Sequence, residues 1–232
     1  MSYTYASFQS ALAELMVTTT SDSDFVAIVP SIIDYAEQRL YRELDLLATV
    51  VPQTLTATAL ARTLSLSGAS QYIVTVQDVN IITPVTVTNA DLGTRNQCER
   101  ASKEYLDAVW NSATGAAIPR VYALRDNQTV LFGPWPDQAY SVEVVGTIRP
   151  LPLYNAAESG GTFLSLYLPD LFMAAAMIFA SGYQKNFGSQ SDDPRMAQSW
   201  ETQYQALFAS ANAEEIRKKF ALAPTPAPAK VG

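Results

Sequence analysis

With 22 acidic side chains and no histidine, this chain is restricted in the chemistry it could perform. A hydrolase triad needs a base to take the proton of its nucleophile, and the usual base is missing. Histidine-based acid/base catalysis and metal sites go with it. Two carboxyl groups alone could run glycoside hydrolysis, and Glu143, Asp137 and Asp126 are the candidates. Their sequence contexts, a strand and two turns, predict exposed and solvated charges rather than a tuned pair. Asp22, Asp24, Asp192 and Asp193 cluster acids without the spacing of a calcium loop, and helix capping accounts for them. Gly160-Gly161 is not followed by the Gly-Lys-Ser/Thr of a phosphate loop. Three tryptophans could stack sugars or bases: Trp200 falls in a helical stripe and reads as core, Trp110 is open, and Trp135 either stacks a ligand or anchors its own loop. No catalytic, cofactor or metal residue is expected.

The elements that carry these residues follow from period and punctuation. Tyr3 to Val17 predicts a first helix, ended by Thr18 to Asp24. Phe25 to Val29 predicts a short turn, and Pro30 opens a helix running to about Leu47 on Ile33, Ala36, Leu40 and Leu44. From Thr49 to Thr88 the composition turns to Thr, Val, Ile and Leu, with strands expected at 63–66, 72–76 and 85–87 and turns at Gly68 and Asp78. Cys98 to Trp110 predicts an inserted helix. Val121 to Leu124 and Thr129 to Phe132 form a hairpin about the turn residues Arg125 to Gln128. Tyr140 to Arg149 follows as a strand with Tyr140, Val142, Val144 and Ile148 on a buried face and Ser141, Glu143, Thr147 and Arg149 on a wet one.

Leu168 opens a nearly all-apolar helix with Pro169 in its first turn, as expected at the centre of a bundle. Asp193 and Pro194 start another, with Met196, Trp200, Tyr204, Leu207, Phe208 and Ala211 along one stripe to about Lys219. Residues 221–232 carry Pro224, Pro226 and Pro228, which predict an extended tail. Such a tail either docks along a neighbour or is a free end. The fold class is α+β: a helical bundle from residues 1–47 and 153–220, an inserted antiparallel β-rich domain at 48–152, and the tail.

Composition narrows the partners. Charged residues are 16% of the chain against an apolar 48%, so apolar surface is either reserved for partners or spent on a large core beneath a Ser/Thr surface. A net charge of −7 disfavours a face that grips phosphate. It suits a passage wall that repels DNA as well as it suits ordinary solubility. The single cysteine, Cys98, rules out a disulfide within the chain and fits a reducing compartment. Met1 to Tyr5 lacks the pattern of a signal peptide, and the apolar run Leu164 to Ala180 is too short and too interrupted to span a bilayer.

The helix Pro30 to Leu44 with its Ala36-Glu-Gln-Arg39, the Pro-Arg-Val-Tyr of 119–122 and the loop Phe132-Gly-Pro-Trp-Pro-Asp137 occur in an order that resembles the head-to-tail adaptors of tailed bacteriophages, the tail tubular protein A class or podovirus-type connector adaptors. The resemblance covers most of residues 1–220. It implies a virion protein of the head-tail interface, assembled in the host cytoplasm, that forms a ring of about twelve copies. By the same resemblance, that ring binds the portal protein on one side and the tail nozzle or tail tube on the other. Genomic DNA would pass through it during ejection without specific binding. The partner-binding residues expected are Phe220, Leu222, Pro224, Pro226, Pro228 and Lys230 of the tail and Trp135 of the loop. The alternative is a β-rich receptor- or glycan-binding module of a phage tail, centred on Trp135.

Overall fold

The computed structural model describes residues 2–157, 160–183 and 195–222, and the chain divides into two compact units. One is helical, built from residues 1–47 and 151–232. The other is a β-rich insertion over residues 48–150. Helices and two separate sheets make the fold α+β.

The helical unit opens with α1 (Tyr5–Leu15), whose N-terminus is closed by a reciprocal capping pair, Thr4 with Ser7. α2 spans Ser23–Glu43 and contains Pro30 in its interior. The expected turn at Phe25 to Val29 and start at Pro30 are therefore corrected. The true cap is Asp22, whose carboxylate accepts from the Asp24 and Phe25 amides at 2.8 and 3.0 Å. An internal proline costs a helix about 3 kcal/mol. Burial of Phe25 and Val29 offsets this at about 2 kcal/mol per side chain. The helix stops at Glu43, not Leu47.

α4 (Phe163–Tyr167) and α5 (Pro169–Tyr183) follow the return of the chain, and α5 packs against both α2 and the long α6 (Arg195–Leu222). Leu171, Phe172, Ala175, Ala176, Met177 and Ala180 bury α5 on almost every side, so it forms the centre of the bundle. Phe8 of α1 stacks on Phe172 with ring centroids 4.7 Å apart. The expected start of α6 at Asp193 and Pro194 lies outside the described residues. Its end runs past Lys219 to Leu222, two residues into the stretch expected to be non-helical. The first proline is Pro224, and proline disfavours helix only from the residue before it.

The insertion holds two four-stranded sheets. One has the order β1 (Val50–Thr56), β8 (Ser141–Arg149), β3 (Tyr72–Thr83), β4 (Thr94–Gln97), all antiparallel. The other has the order β2 (Thr63–Ser65), β7 (Thr129–Gly133), β6 (Val121–Asp126), β5 (Glu99–Arg100), with β5 parallel to β6. Leu55, Val79, Ile81, Val142 and Val144 of the first sheet share one core with Leu64, Val130 and Phe132 of the second. The odd residue of β7, Leu131, points the other way and packs with Ala123 beneath Leu106 of α3 (Lys103–Val109). Three layers result, and they explain why β7 is buried along its length.

Several strand expectations are corrected here. β3 runs through Asp78 as a strand with a register shift, not a turn, because its backbone keeps pairing with β8 on both sides. Residues 85–87 are a turn rather than a strand, and β2 stops at Ser65 as Leu66–Gly68 turns helical. Cys98 precedes the helix expected there. Its amide bonds to the Val79 carbonyl, and the helix itself starts only after the cap Ser102. The wet face expected of β8 is buried at Ser141 and Glu143. β8 is an inner strand, and the turn Ala90–Leu92 and Arg95 cover its outer side.

Candidate interaction surface

The candidate carboxylates are structural in their contacts. Glu143 accepts from Arg95 through two bonds of 2.8 and 2.9 Å and from Asn80 at 3.0 Å. The Arg95 guanidinium holds its carboxyl below the usual range. Asp137 accepts from the Tyr140 hydroxyl at 2.7 Å, and Asp126 caps its own turn through the Gln128 amide at 2.8 Å. Among the described residues no group of three or more His, Cys, Asp or Glu side chains could hold a metal. Cys98 is buried, and burial pushes its thiol up to about 12, so it carries no thiolate near neutral pH.

The loop around Trp135 is held from inside. The indole Nε1 donates to the Trp110 carbonyl at 2.9 Å, and the Trp135 carbonyl accepts from the Ala117 amide at 2.9 Å. Pro136 gives its carbonyl to the Leu60 amide at 2.8 Å. A Cβ on Gly133 would sit 2.4 Å from the Trp110 ring, so the loop needs glycine for that close approach. Trp110 in turn meets Tyr105 edge to face at 5.7 Å. Around this support, Tyr105, Val109, Ile118 and Leu60 are exposed.

In the helical unit, α6 is fixed to α2 by one cation. Arg39 reaches Glu201 through two bonds of 2.7 Å and Glu43 at 3.0 Å, while its guanidinium lies 4.1 Å from the centre of the Tyr204 ring. The Tyr204 hydroxyl donates to Glu43 at 2.5 Å. Arg39 pulls the Glu201 carboxyl down to about 2, and burial together with Glu43 pushes the Tyr204 hydroxyl up. Farther along, Lys218 contacts Glu214 and Glu215 at 2.7 and 2.8 Å, and Lys219 pairs with Asp45.

That fixing leaves the other side of the α6 terminus apolar and open. Ile216 is 59% exposed and Phe220 is 82% exposed, one turn apart and immediately before the proline segment. Tyr167 at the end of α4 is also exposed. A second open point lies between α1 and α2. There Val17 holds a left-handed backbone at φ 56° with 91% of its surface exposed, and Leu15 at the end of α1 and Val26 in the first turn of α2 are exposed as well. The structure thus places the expected Phe220 at the surface and Leu222 at the end of α6. Pro224, Pro226, Pro228 and Lys230 lie outside the described residues. Sequence reasoning missed Ile216 and Val17. Ile216 could have been found from its i to i+4 spacing to Phe220 off the buried stripe, whereas a β-branched residue gives no sequence sign of a left-handed turn.

Apolar side chains thus stand open at helix and loop ends in both units. A family model described as SU10 adaptor protein matches residues 3–228. The chain belongs to that family, and the resemblance to bacteriophage head-to-tail adaptors drawn from its sequence is borne out. Membership makes it a virion component that interacts with other phage head and tail proteins. No curated protein matches the chain. Among the described residues, no helix is long and apolar enough to cross a membrane.

Proposed function

We propose that this chain is a structural, non-enzymatic adaptor that closes into a ring of about twelve copies between the portal protein and the tail nozzle or tail tube. The observation that carries this reading is the family match over residues 3–228. The ring belongs to the head-tail interface of the virion, is assembled in the host cytoplasm, and lets the genome pass during ejection without specific binding. A net charge of −7 supports that last point, since a wall poor in cations does not retain phosphate.

Within this function, Phe220 and Leu222 together with Pro224, Pro226, Pro228 and Lys230 form the arm that docks on the portal or on a neighbouring copy. Exposure of Phe220 and Ile216 where that arm begins supports the assignment. Proline-restricted segments lose little entropy on docking, and a closed ring multiplies each modest contact. Trp135 takes part by holding its loop in shape, because its indole N–H is already used within the chain. Half-burial of Trp135 leaves less of its ring for stacking a glycan. Deleting residues 224–232 tests the arm. The shortened chain is expected to keep its circular dichroism and melting temperature and to co-sediment at least tenfold more weakly with portal rings. Unchanged co-sedimentation would overturn the arm assignment.

A further inference from the structure

The chain leaves the helical unit after Leu47 and re-enters it at Leu151, and both crossings are held in the same manner. The Leu47 amide donates to Glu215 Oε2 at 3.1 Å, and the Leu153 amide donates to Glu37 Oε1 at 3.1 Å. Both glutamates are only 3% exposed. They lie on different helices, α6 and α2, and each spends a buried carboxyl oxygen on the backbone of a crossing segment. Buried carboxyl groups are costly to retain unless they do something for the fold.

The two sites differ in what balances the carboxyl. Glu215 has Lys218 at 2.8 Å on its own helix, with Lys219 and Asp45 pairing beside it. Among the described residues, no cation pairs with Glu37. Asp34 lies one turn back on α2, the Tyr154 hydroxyl from the crossing segment donates to Asp34 at 3.3 Å, and Thr162 at the cap of α4 supplies a neutral hydrogen bond to Glu37. Burial and the neighbouring Asp34 favour the protonated carboxyl, while the hydrogen bonds from the Leu153 amide and Thr162 oppose them.

We propose that these two glutamates latch both chain crossings to the helical unit, and that the buried Glu37 latch closes most firmly while its carboxyl holds a proton. Burial, opposed by the Leu153 amide, raises the Glu37 carboxyl from 4.5 to about 8. In an opened state, with the carboxyl in water, it would ionise near its ordinary value. Between about pH 4.5 and 8 the closed latch therefore holds a proton that the open one has lost, and closure weakens up to about tenfold per pH unit. Above that window the dependence levels off. The re-entry crossing loosens with rising pH.

The experiment is amide hydrogen exchange of the full chain, read at Leu153 and Leu47 from pH 6 to 8 and corrected for intrinsic rates. The Leu153 protection factor is expected to fall by about tenfold to a hundredfold across that range while that of Leu47 stays within about twofold. In Glu37→Gln, which keeps an acceptor but cannot titrate, Leu153 protection should be flat; in Glu215→Gln, Leu47 protection should drop without acquiring a pH slope. Parallel loss at Leu47 and Leu153 in the unaltered chain would overturn the proposal, because the proton would then be linked to unfolding of the whole unit. An unaltered slope in Glu37→Gln would overturn it equally.

Discussion

The helical unit and the β-rich insertion solve the problem of burying a core in different ways. In the helical unit the core is a shared stripe from helices far apart in sequence, and one apolar helix, α5, contacts the others. Its long helices are then pinned at their edges by charge: Arg39 across α2 and α6, Lys219 to Asp45 at the end. In the insertion the backbone ladder does the pinning, and charge is drawn inside the sheet as Glu143 with Arg95 and Asn80. The lesson is that a joined pair of helices leaves its free faces open for partners, as at Ile216 and Phe220, whereas a layered sheet exposes loops and turns.

The largest expected effect is on the helical core. Phe172→Ala removes the ring on which Phe8 stacks in a fully buried site and should cost about 3–5 kcal/mol. The loss should appear in a helical melting transition, followed by circular dichroism at 222 nm, and leave the fluorescence of Trp110 and Trp135, read in a Trp200→Phe background, unchanged. A single transition shifted in both signals would break the comparison.

Gly146→Ala is the counterpart in the sheet. The added Cβ would lie 2.2 Å from the Thr75 carbonyl oxygen, a backbone atom at a register shift of β3 that cannot swing aside. A loss of about 1–3 kcal/mol is expected in the β signal alone, measured by urea denaturation. Equal denaturation curves for the two proteins would show that the strands have slack the geometry does not suggest.

Next comes charge. Arg39→Met should cost about 1–2 kcal/mol, allowing for the partial exposure of Glu201, because it leaves Glu43 and Glu201 without their shared cation. The pH dependence has a definite sign. The Glu201 carboxyl is lowered from 4.5 to about 2, so its contribution is present above about pH 4.5 and disappears as pH falls toward 2. Thermal melts from pH 6 to 2 should show that the Arg39→Met deficit shrinks in acid. A deficit constant with pH would assign the loss to packing over Tyr204 instead. The smallest effect is Trp135→Phe, about 1 kcal/mol for the lost bond to the Trp110 carbonyl, seen in the β unit by urea titration.

What was legible in the sequence was periodic. The stripe of Trp200, Tyr204, Leu207 and Phe208, the all-apolar α5 and the hairpin of β6 and β7 were read from spacing, and the structure forms them. What misled was punctuation taken too literally. Pro30 read as a helix start, although burial of Phe25 and Val29 carries α2 through it. Asp78 read as a turn although pairing on both sides keeps it in β3. Glu143 read as wet because alternation reports two faces but not what lies on them, and the covering turn at Ala90–Leu92 comes from a loop some fifty residues earlier. The two buried latches were invisible for the same reason: Glu37 and Glu215 are distinguished only by amides 116 and 168 residues away.

The adaptor reading is tested most directly by electron microscopy of this protein mixed with portal rings of its parent phage, with the mass of the isolated protein recorded alongside. The account predicts a closed ring of added density on one face of the portal, weakened when residues 224–232 are removed. Bare portal rings at every protein concentration, beside a stable monomer or trimer in solution, would contradict it.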